Sequence, residues 1–329
     1  MRTLLWLEPD QAAEAESIVK RCGLEVALVG STERGRAGEL ASRLGGQKHD
    51  DLRGALAGET LDLALVLDAG GFGADGEPTD ADAASRFAER GGLIVFRPPT
   101  PASVDELASG RWTRQPRPAA REIRPALLPT RGLAWRSLEG LRSGFGPASS
   151  VSARVVTGGE DVGAGLIAAI DLVRDAIGEL ERVAAIATNP ADGRRSLRSL
   201  RGEIRGIATG ETGGRASFVV SQTGLRREGE FRWRTELRGD EGELMLGESG
   251  GAWLQNTGER DDASIERPPV TIANAIGETI EAARAEPARP GPDTLRMLCD
   301  AEAVLLAAET GDWVETATVR RAVNPGDAW

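Results

Sequence analysis

The first third of the chain alternates short apolar runs with stretches whose apolar residues recur at helical spacing. Leu4–Leu7 is one such run. Ala12, Ala15, Val19 and Cys22 then fall on one helical face, Val26–Val29 is apolar again, and Ala37, Leu40, Ala41 and Leu44 return to helical spacing. Leu52, Ala55 and Leu56 predict another helix; Leu61–Leu67 and Leu93–Phe96 predict strands, with a helix between them carried by Ala84, Phe87 and Ala88. Strands this uniformly apolar are buried on both faces. That requires helical layers on each side, and hence a doubly wound parallel sheet of Rossmann type.

The pattern breaks at residues 111–131, where four prolines and several arginines predict an inter-domain connection with solvated charges, dividing 1–115 from 116–329. Beyond it, Val151, Ala153 and Val155 alternate with polar or small residues, and Leu166, Ile170, Val173 and Ile177 mark a helix. Phe231, Trp233, Thr235 and Leu237 alternate strictly with Glu230, Arg232, Arg234, Glu236 and Arg238. A turn at Gly239–Gly242 then leads to Leu244 and Leu246. This predicts strands with one polar face. A last helix runs from an Asp293 cap to a Gly311 stop. The fold class is α/β: an N-terminal Rossmann-type sheet, then a C-terminal α+β domain with a mostly antiparallel open sheet.

Composition narrows the function. With 329 residues and a formal net charge of −11, the chain lacks the Lys/Arg excess that grips nucleic acid or an anionic membrane. Only Lys20 and Lys48 are lysines and His49 is the single histidine, so lysine and histidine catalysis have few candidates. Cys22 and Cys299 lie too far apart for a metal or redox motif and read as core residues. No run of about 18 apolar residues predicts a membrane span, and Glu8 interrupts the first apolar run too early for a signal peptide, so the expected location is the cytoplasm.

The order of these pieces resembles the glucose-fructose oxidoreductase / inositol dehydrogenase (Gfo/Idh/MocA) family. Val26–Val29 followed by Arg36–Gly45 is similar to that family's second strand and helix; Asp50–Leu56 with Leu61–Leu67 is similar to its third helix and fourth strand. Weaker matches are Gly146–Arg154, Leu237–Leu244 and Ala307–Val314. The resemblance implies a dinucleotide-binding domain, a substrate domain whose sheet forms dimers or tetramers, and oxidation of a sugar or polyol with NAD or NADP.

The residues carrying that chemistry are replaced. A pyrophosphate needs a glycine-rich turn after the first strand, where helix N-terminal amides approach it; the turn here is Leu7-Glu8-Pro9-Asp10-Gln11. Glu8 and Asp10 suit a helix dipole but repel a pyrophosphate, and Pro9 lacks an amide donor. After the second strand, Ser31, Thr32 and Arg34 suit either a 2′-phosphate, the NADP reading, or an ordinary capped helix start. Where the family carries Glu-Lys-Pro, Arg97 stands for the acid and Pro98 for the lysine. Matching the family's Asp-x-x-x-His-x-x-Asp helix on Leu166–Val173 puts Ala168 at the histidine position and Asp171 at the final acid; His49 reads as a surface or packing residue.

The expectation is therefore a catalytically inactive relative that needs no cofactor or metal and has Asp171 as the one weak catalytic candidate. Arg97, Asp171 and Arg174 would border the ligand cleft that the resemblance implies. The arginines would bind a carboxylate or phosphate there, or Arg174 and Asp171 would pair with each other or with solvent. The acidic loop Asp68–Asp82 lacks calcium-loop spacing and reads as solvated. Three readings stay open: a scaffold or oligomer subunit, homo-oligomeric through the C-terminal sheet or mixed with an intact paralogue; a small-molecule binder; and an atypical NAD(P)-dependent oxidoreductase with Asp171 as acid. For the first, Phe231, Trp233 and Leu237 supply apolar material to a helix-covered core face or to an interface.

Overall fold

The structure is a computed structural model and describes residues 1–58, 60–68, 79–98, 123–158, 162–188, 197, 200–223, 231–265, 271–285 and 293–323. It divides into two compact units: Met1–Leu127 with Ala273–Leu295, and Leu128–Ile272 with Arg296–Trp329. The segment 99–122, which holds most of the proline-rich connection, and residues 69–78 of the acidic loop lie outside the described residues.

In the first unit, β1 (Arg2–Trp6), β2 (Glu25–Gly30), β3 (Gln47–Lys48), β4 (Leu63–Val66), β5 (Leu93–Phe96) and β6 (Ile123–Pro125) form one sheet in the order β3-β2-β1-β4-β5-β6. Every pairing is parallel. This is the doubly wound order, whose reversal lies between β1 and β4. Helices α1 (Ala12–Cys22), α2 (Ala37–Leu44), α3 (Leu52–Gly58) and α4 (Thr79–Glu89) follow the first four strands. The apolar runs are buried on both faces, as their composition predicts. Leu4, Trp6, Val66, Ile94 and Phe96 pack with Leu52, Leu56 and Phe87 in one cluster, while Leu5, Leu63 and Leu65 are also fully buried. Each such side chain contributes about 1.5–3 kcal/mol. Gly23, at φ 58°, stops α1 in the left-handed conformation that a side chain would disfavour.

A helix from far along the chain completes this unit. α8 (Ile272–Ala285) is held to α1 by Arg21, which donates to Glu281 at 3.3 and 3.2 Å and to Asn274 at 3.0 Å. Arg284 also donates to the Cys22 carbonyl at 3.0 Å.

The second unit is built on nine strands in the order β14-β13-β12-β11-β7-β10-β9-β8-β15. They are β7 (Ser150–Gly158), β8 (Leu180–Thr188), β9 (Glu203–Gly210), β10 (Arg215–Thr223), β11 (Phe231–Gly239), β12 (Gly242–Gly247), β13 (Gly250–Gln255), β14 (Arg260–Ser264) and β15 (Val314–Glu315). Pairing is antiparallel except between β7 and β10. The connection between β7 and β8 is α7 (Val162–Ile177), which buries nearly its whole length. It lies close because Gly163 and Gly165 carry no side chain: a Cβ would meet the Leu197 carbonyl oxygen at 2.1 Å and Val220 Cγ1 at 2.6 Å. Short helices α5 (Leu133–Ser137) and α6 (Glu139–Phe145) precede the sheet, and α9 (Thr294–Thr310) and α10 (Thr316–Val323) follow it.

The alternation in β11 resolves the open alternative for its aromatic residues. Phe231, Trp233 and Leu237 are buried on the covered face, while Arg232, Arg234 and Arg238 stand exposed on the other. The former are core, so they supply no interface.

Candidate functional site

In a doubly wound sheet the ligand site lies beyond the carboxyl ends of the strands, at the reversal of strand order. There β1 runs into a short 3-10 turn, Pro9–Gln11, before α1. Glu8 N–H donates to Gln11 Oε1 at 2.9 Å, and Gln11 N–H donates to the Glu8 carbonyl at 3.1 Å. Gln11 Nε2 reaches the Leu67 carbonyl at 3.4 Å, which ties the turn to the end of β4. The Glu8 amide is therefore engaged within the turn, and Pro9 has none to offer.

Charge at this point is wrong for a phosphate. Glu8 is half-buried, and its Oε2 is enclosed without a hydrogen-bond partner among the described residues. Burial, reinforced by the negative charges of Asp68, Glu33 and Asp10, raises its pKa from 4.5 to about 7. Acids from the ends of β1, β2 and β4 thus converge where a pyrophosphate would sit. Glu8 and Asp10 were expected from their positions. Glu33 and Asp68 were not, although each follows a strand that the topology sets beside β1. Among the described residues, no group of three or more His, Cys, Asp or Glu side chains is placed to hold a metal ion.

The residues considered for NADP sit at the end of β2. Ser31 is buried, and its Oγ accepts the Glu33 N–H at 3.1 Å, closing a local turn. Thr32 is half-buried and Arg34 exposed. Arg36 pairs with Glu33 at 3.5 Å and Glu39 at 3.1 Å. Arg97, after β5, directs Nη1 to Glu14 of α1 at 3.6 Å, so its charge is met within the first unit. His49 lies beside β3 with its N–H on the Val29 carbonyl at 2.9 Å, while its Nδ1 accepts the Asp51 N–H at 3.2 Å. It braces a surface turn.

In the second unit, Asp171 and Arg174 belong to different networks. Asp171 accepts from Thr130 N–H at 2.9 Å and from Thr130 Oγ1 at 2.7 Å, and it is buried. Burial raises its pKa to about 6 against the opposing pull of the Thr130 hydrogen bonds and of Arg131. Arg174 pairs with Asp300 at 3.1 Å and with Glu179. In place of the pairing of Arg174 with Asp171, one of the expected alternatives, Arg174 meets Asp300 and Glu179 while Asp171 accepts from Thr130. Ala168, which the sequence resemblance matches to the family's histidine, is fully buried.

No protein-family model and no curated protein matches the sequence. Solved structures do match its fold. An NAD-binding oxidoreductase from Klebsiella pneumoniae superposes with a TM-score of 0.72 at 11% identity, over 96% of this chain and 99% of that one. An oxidoreductase from Agrobacterium radiobacter, solved with NAD+, L-tartaric acid and magnesium, gives 0.71 at 14% identity over 97% and 99%. Scyllo-inositol dehydrogenase from Lactobacillus casei, solved with NAD(H) and scyllo-inositol, gives 0.67 at 14% identity over 96% and 99%. The chain has the fold of the NAD-binding oxidoreductases, a Rossmann-type unit followed by a unit with a large open sheet. On that fold, its first-strand turn carries acids and a proline where a dinucleotide needs bare amides.

Proposed function

We propose that this protein is a non-catalytic relative of the sugar and polyol oxidoreductases, one that has kept the fold and closed the dinucleotide site. The observation that carries this reading is Glu8: a half-buried carboxylate in the first-strand turn, flanked in charge by Asp68, Glu33 and Asp10, with its own amide turned to Gln11. NAD or NADP does not fit these residues, since its pyrophosphate would meet negative charge in place of donors. Loss of lysine at Pro98 and of histidine at Ala168 agrees with it. A calorimetric titration with NAD(H) and NADP(H) to millimolar concentration near neutral pH tests the reading. No binding is expected; micromolar binding of either cofactor would overturn it.

The second reading, an atypical NAD(P)-dependent oxidoreductase of sugars or polyols, is favoured by one observation: the NAD-bound structures share the fold over nearly the whole chain. The same titration, followed by a screen of polyols for hydride transfer, decides between the two.

One role open to such a relative is that of an oligomer subunit. Ile186 of β8 and Ile207 of β9 are 62% and 47% exposed on the outer face of the nine-stranded sheet, beside Ala184. Exposed aliphatic side chains placed together on this face support self-association or pairing with a related chain there. Native mass measured for the protein and for Ile207→Glu checks this, with dissociation expected in the variant.

A further inference from the structure

The same outer face carries a second feature at its opposite end. Across five strands the register sets Arg154 of β7 against Arg234 of β11, Arg234 against Gly247 of β12, Gly247 against Gly250 of β13, and Gly250 against Ser264 of β14. Two arginines therefore stand at one side of a bare glycine strip. Side chains are kept off that strip by packing: a Cβ on Gly250, at φ 145°, would meet the Ala263 carbonyl oxygen at 2.3 Å, and one on Gly247 the Trp233 carbonyl oxygen at 3.3 Å. The result is a hollow of about 640 Å³, lined by Arg154, Arg232, Arg234 and Arg260 and by two acids, Glu248 and Asp262.

Both acids are engaged. Asp262 pairs with Arg260 at 2.9 Å, and Glu248 Oε2 accepts the Trp233 N–H at 3.2 Å. Arg234 pairs with Glu236 at 2.9 Å. Arg154 is exposed. Arg154 and Arg234 stand directly opposite on neighbouring strands, where like charges repel, and an anion lying between them would relieve the part of that repulsion that Glu236 leaves uncompensated. Guanidinium groups match the planar or tetrahedral oxygens of carboxylate and phosphate with paired donors. The hollow also has the size of small-molecule sites, roughly 300–1,000 Å³. A local positive field in a chain of net charge −11 is a feature of this face and not of the whole surface.

We propose that this hollow binds a small polyanion bearing phosphate or carboxylate groups, with Arg154, Arg232 and Arg234 as its donors. The site lies wholly within the second unit and is independent of the dinucleotide reading. Its test is calorimetric titration of the full chain at low ionic strength with inorganic pyrophosphate and, separately, with citrate, which distinguishes the two anion classes. Saturable one-to-one binding of at least one is expected, weakened about tenfold or more in Arg154→Gln/Arg232→Gln and unchanged in Arg215→Gln, which alters the same face outside the hollow. Thermal melts verify that each variant folds. Absence of saturable heat with both anions overturns the proposal, as does equal weakening in Arg215→Gln, which would reveal a diffuse field. Native mass is measured alongside. A dimer that becomes monomeric in the double variant would make the hollow a self-interface and would equally overturn the proposal.

Discussion

Thr130 donates twice to Asp171, through its backbone N–H at 2.9 Å and its hydroxyl at 2.7 Å, and so fixes the chain entering the second unit to the middle of α7. A carboxylate placed this way positions a turn. The two roles separate on substitution. Asp171→Asn keeps an acceptor for the N–H and a donor for the hydroxyl and should cost little, whereas Asp171→Ala leaves a buried N–H unsatisfied and should cost about 1–3 kcal/mol. Urea denaturation of the two variants measures the difference. Equal destabilisation would remove the brace.

The pH dependence of stability follows from the carboxyls of Glu8, Asp171, Asp175 and Asp300, whose folded-state pKa lies above the ordinary value, for Asp175 too chiefly through burial. Glu8 is raised from 4.5 to about 7, and Asp171 and Asp300 from 3.8 to about 6, in each case chiefly by burial. An acid with a raised folded pKa is protonated more readily in the folded chain, so its contribution is complete below the unfolded value and lost as pH rises through the folded one. Stability should therefore increase as pH falls from about 8 to about 5.5. Glu179 acts in the opposite sense. Burial would raise its pKa, but Arg174, Arg296 and Arg320 outweigh burial and lower it, so its contribution fades only at more acidic pH. Thermal melts across this range should show the slope, and Glu8→Gln should flatten its upper part. A melting temperature that falls steadily on acidification from neutrality would contradict the assignment.

Asp300 is fully buried between Arg320, at 2.8 Å, and Arg174, at 3.1 Å; Glu179 takes Arg296 and Arg320, each at 3.0 Å. Two acids and three arginines thus join the end of α7 to α9 and α10. Removing one member of such a buried network strands the others without compensation. Asp300→Ala is expected to cost about 3–5 kcal/mol, read as a shift of the urea midpoint. An effect below about 1 kcal/mol would mean that solvent already screens the cluster.

The sheet of the first unit was legible because its apolar runs are short, continuous and separated by helical spacing. β11 and β12 were legible from strict alternation about a glycine turn, and α9 from its Asp293 cap and Gly311 stop. β8, β9 and β10 were not. Glu-Arg-Val-Ala-Ala-Ile-Ala-Thr at 181–188 places Ile186 outward and Val183 inward, so hydropathy alone does not show which face is covered. α8 escaped because its role depends on α1, some 250 residues earlier in the chain, through contacts such as Arg21 to Asn274. At the site, the loss of the glycine turn was readable residue by residue. The company Glu8 keeps was not, because Glu33 and Asp68 reach it only through strand order. Sequence offers Arg97 and Arg174 as donors to a carboxylate or phosphate, or Arg174 as a partner of Asp171 or solvent; in the structure they pair with Glu14 and with Asp300 and Glu179.

Gly30 ends β2 directly beneath the ring of Trp6: a Cβ there would lie 2.0 Å from Trp6 Cζ3 and 2.9 Å from the His49 carbonyl oxygen. Trp6 is 5% exposed and belongs to the cluster that holds α3 and α4 to the sheet, so its ring has little room to withdraw. Gly30→Ala is accordingly expected to destabilise the protein by about 1–3 kcal/mol through overpacking. Adding Trp6→Leu tests the cause, because a smaller side chain vacates the space that the new methyl needs. The double variant should then be less destabilised than the sum of the two single ones, by at least about 0.5 kcal/mol of coupling. Additive losses would instead place the strain on the His49 carbonyl, the other group within reach, and would leave the tryptophan without a part in setting the path of β2.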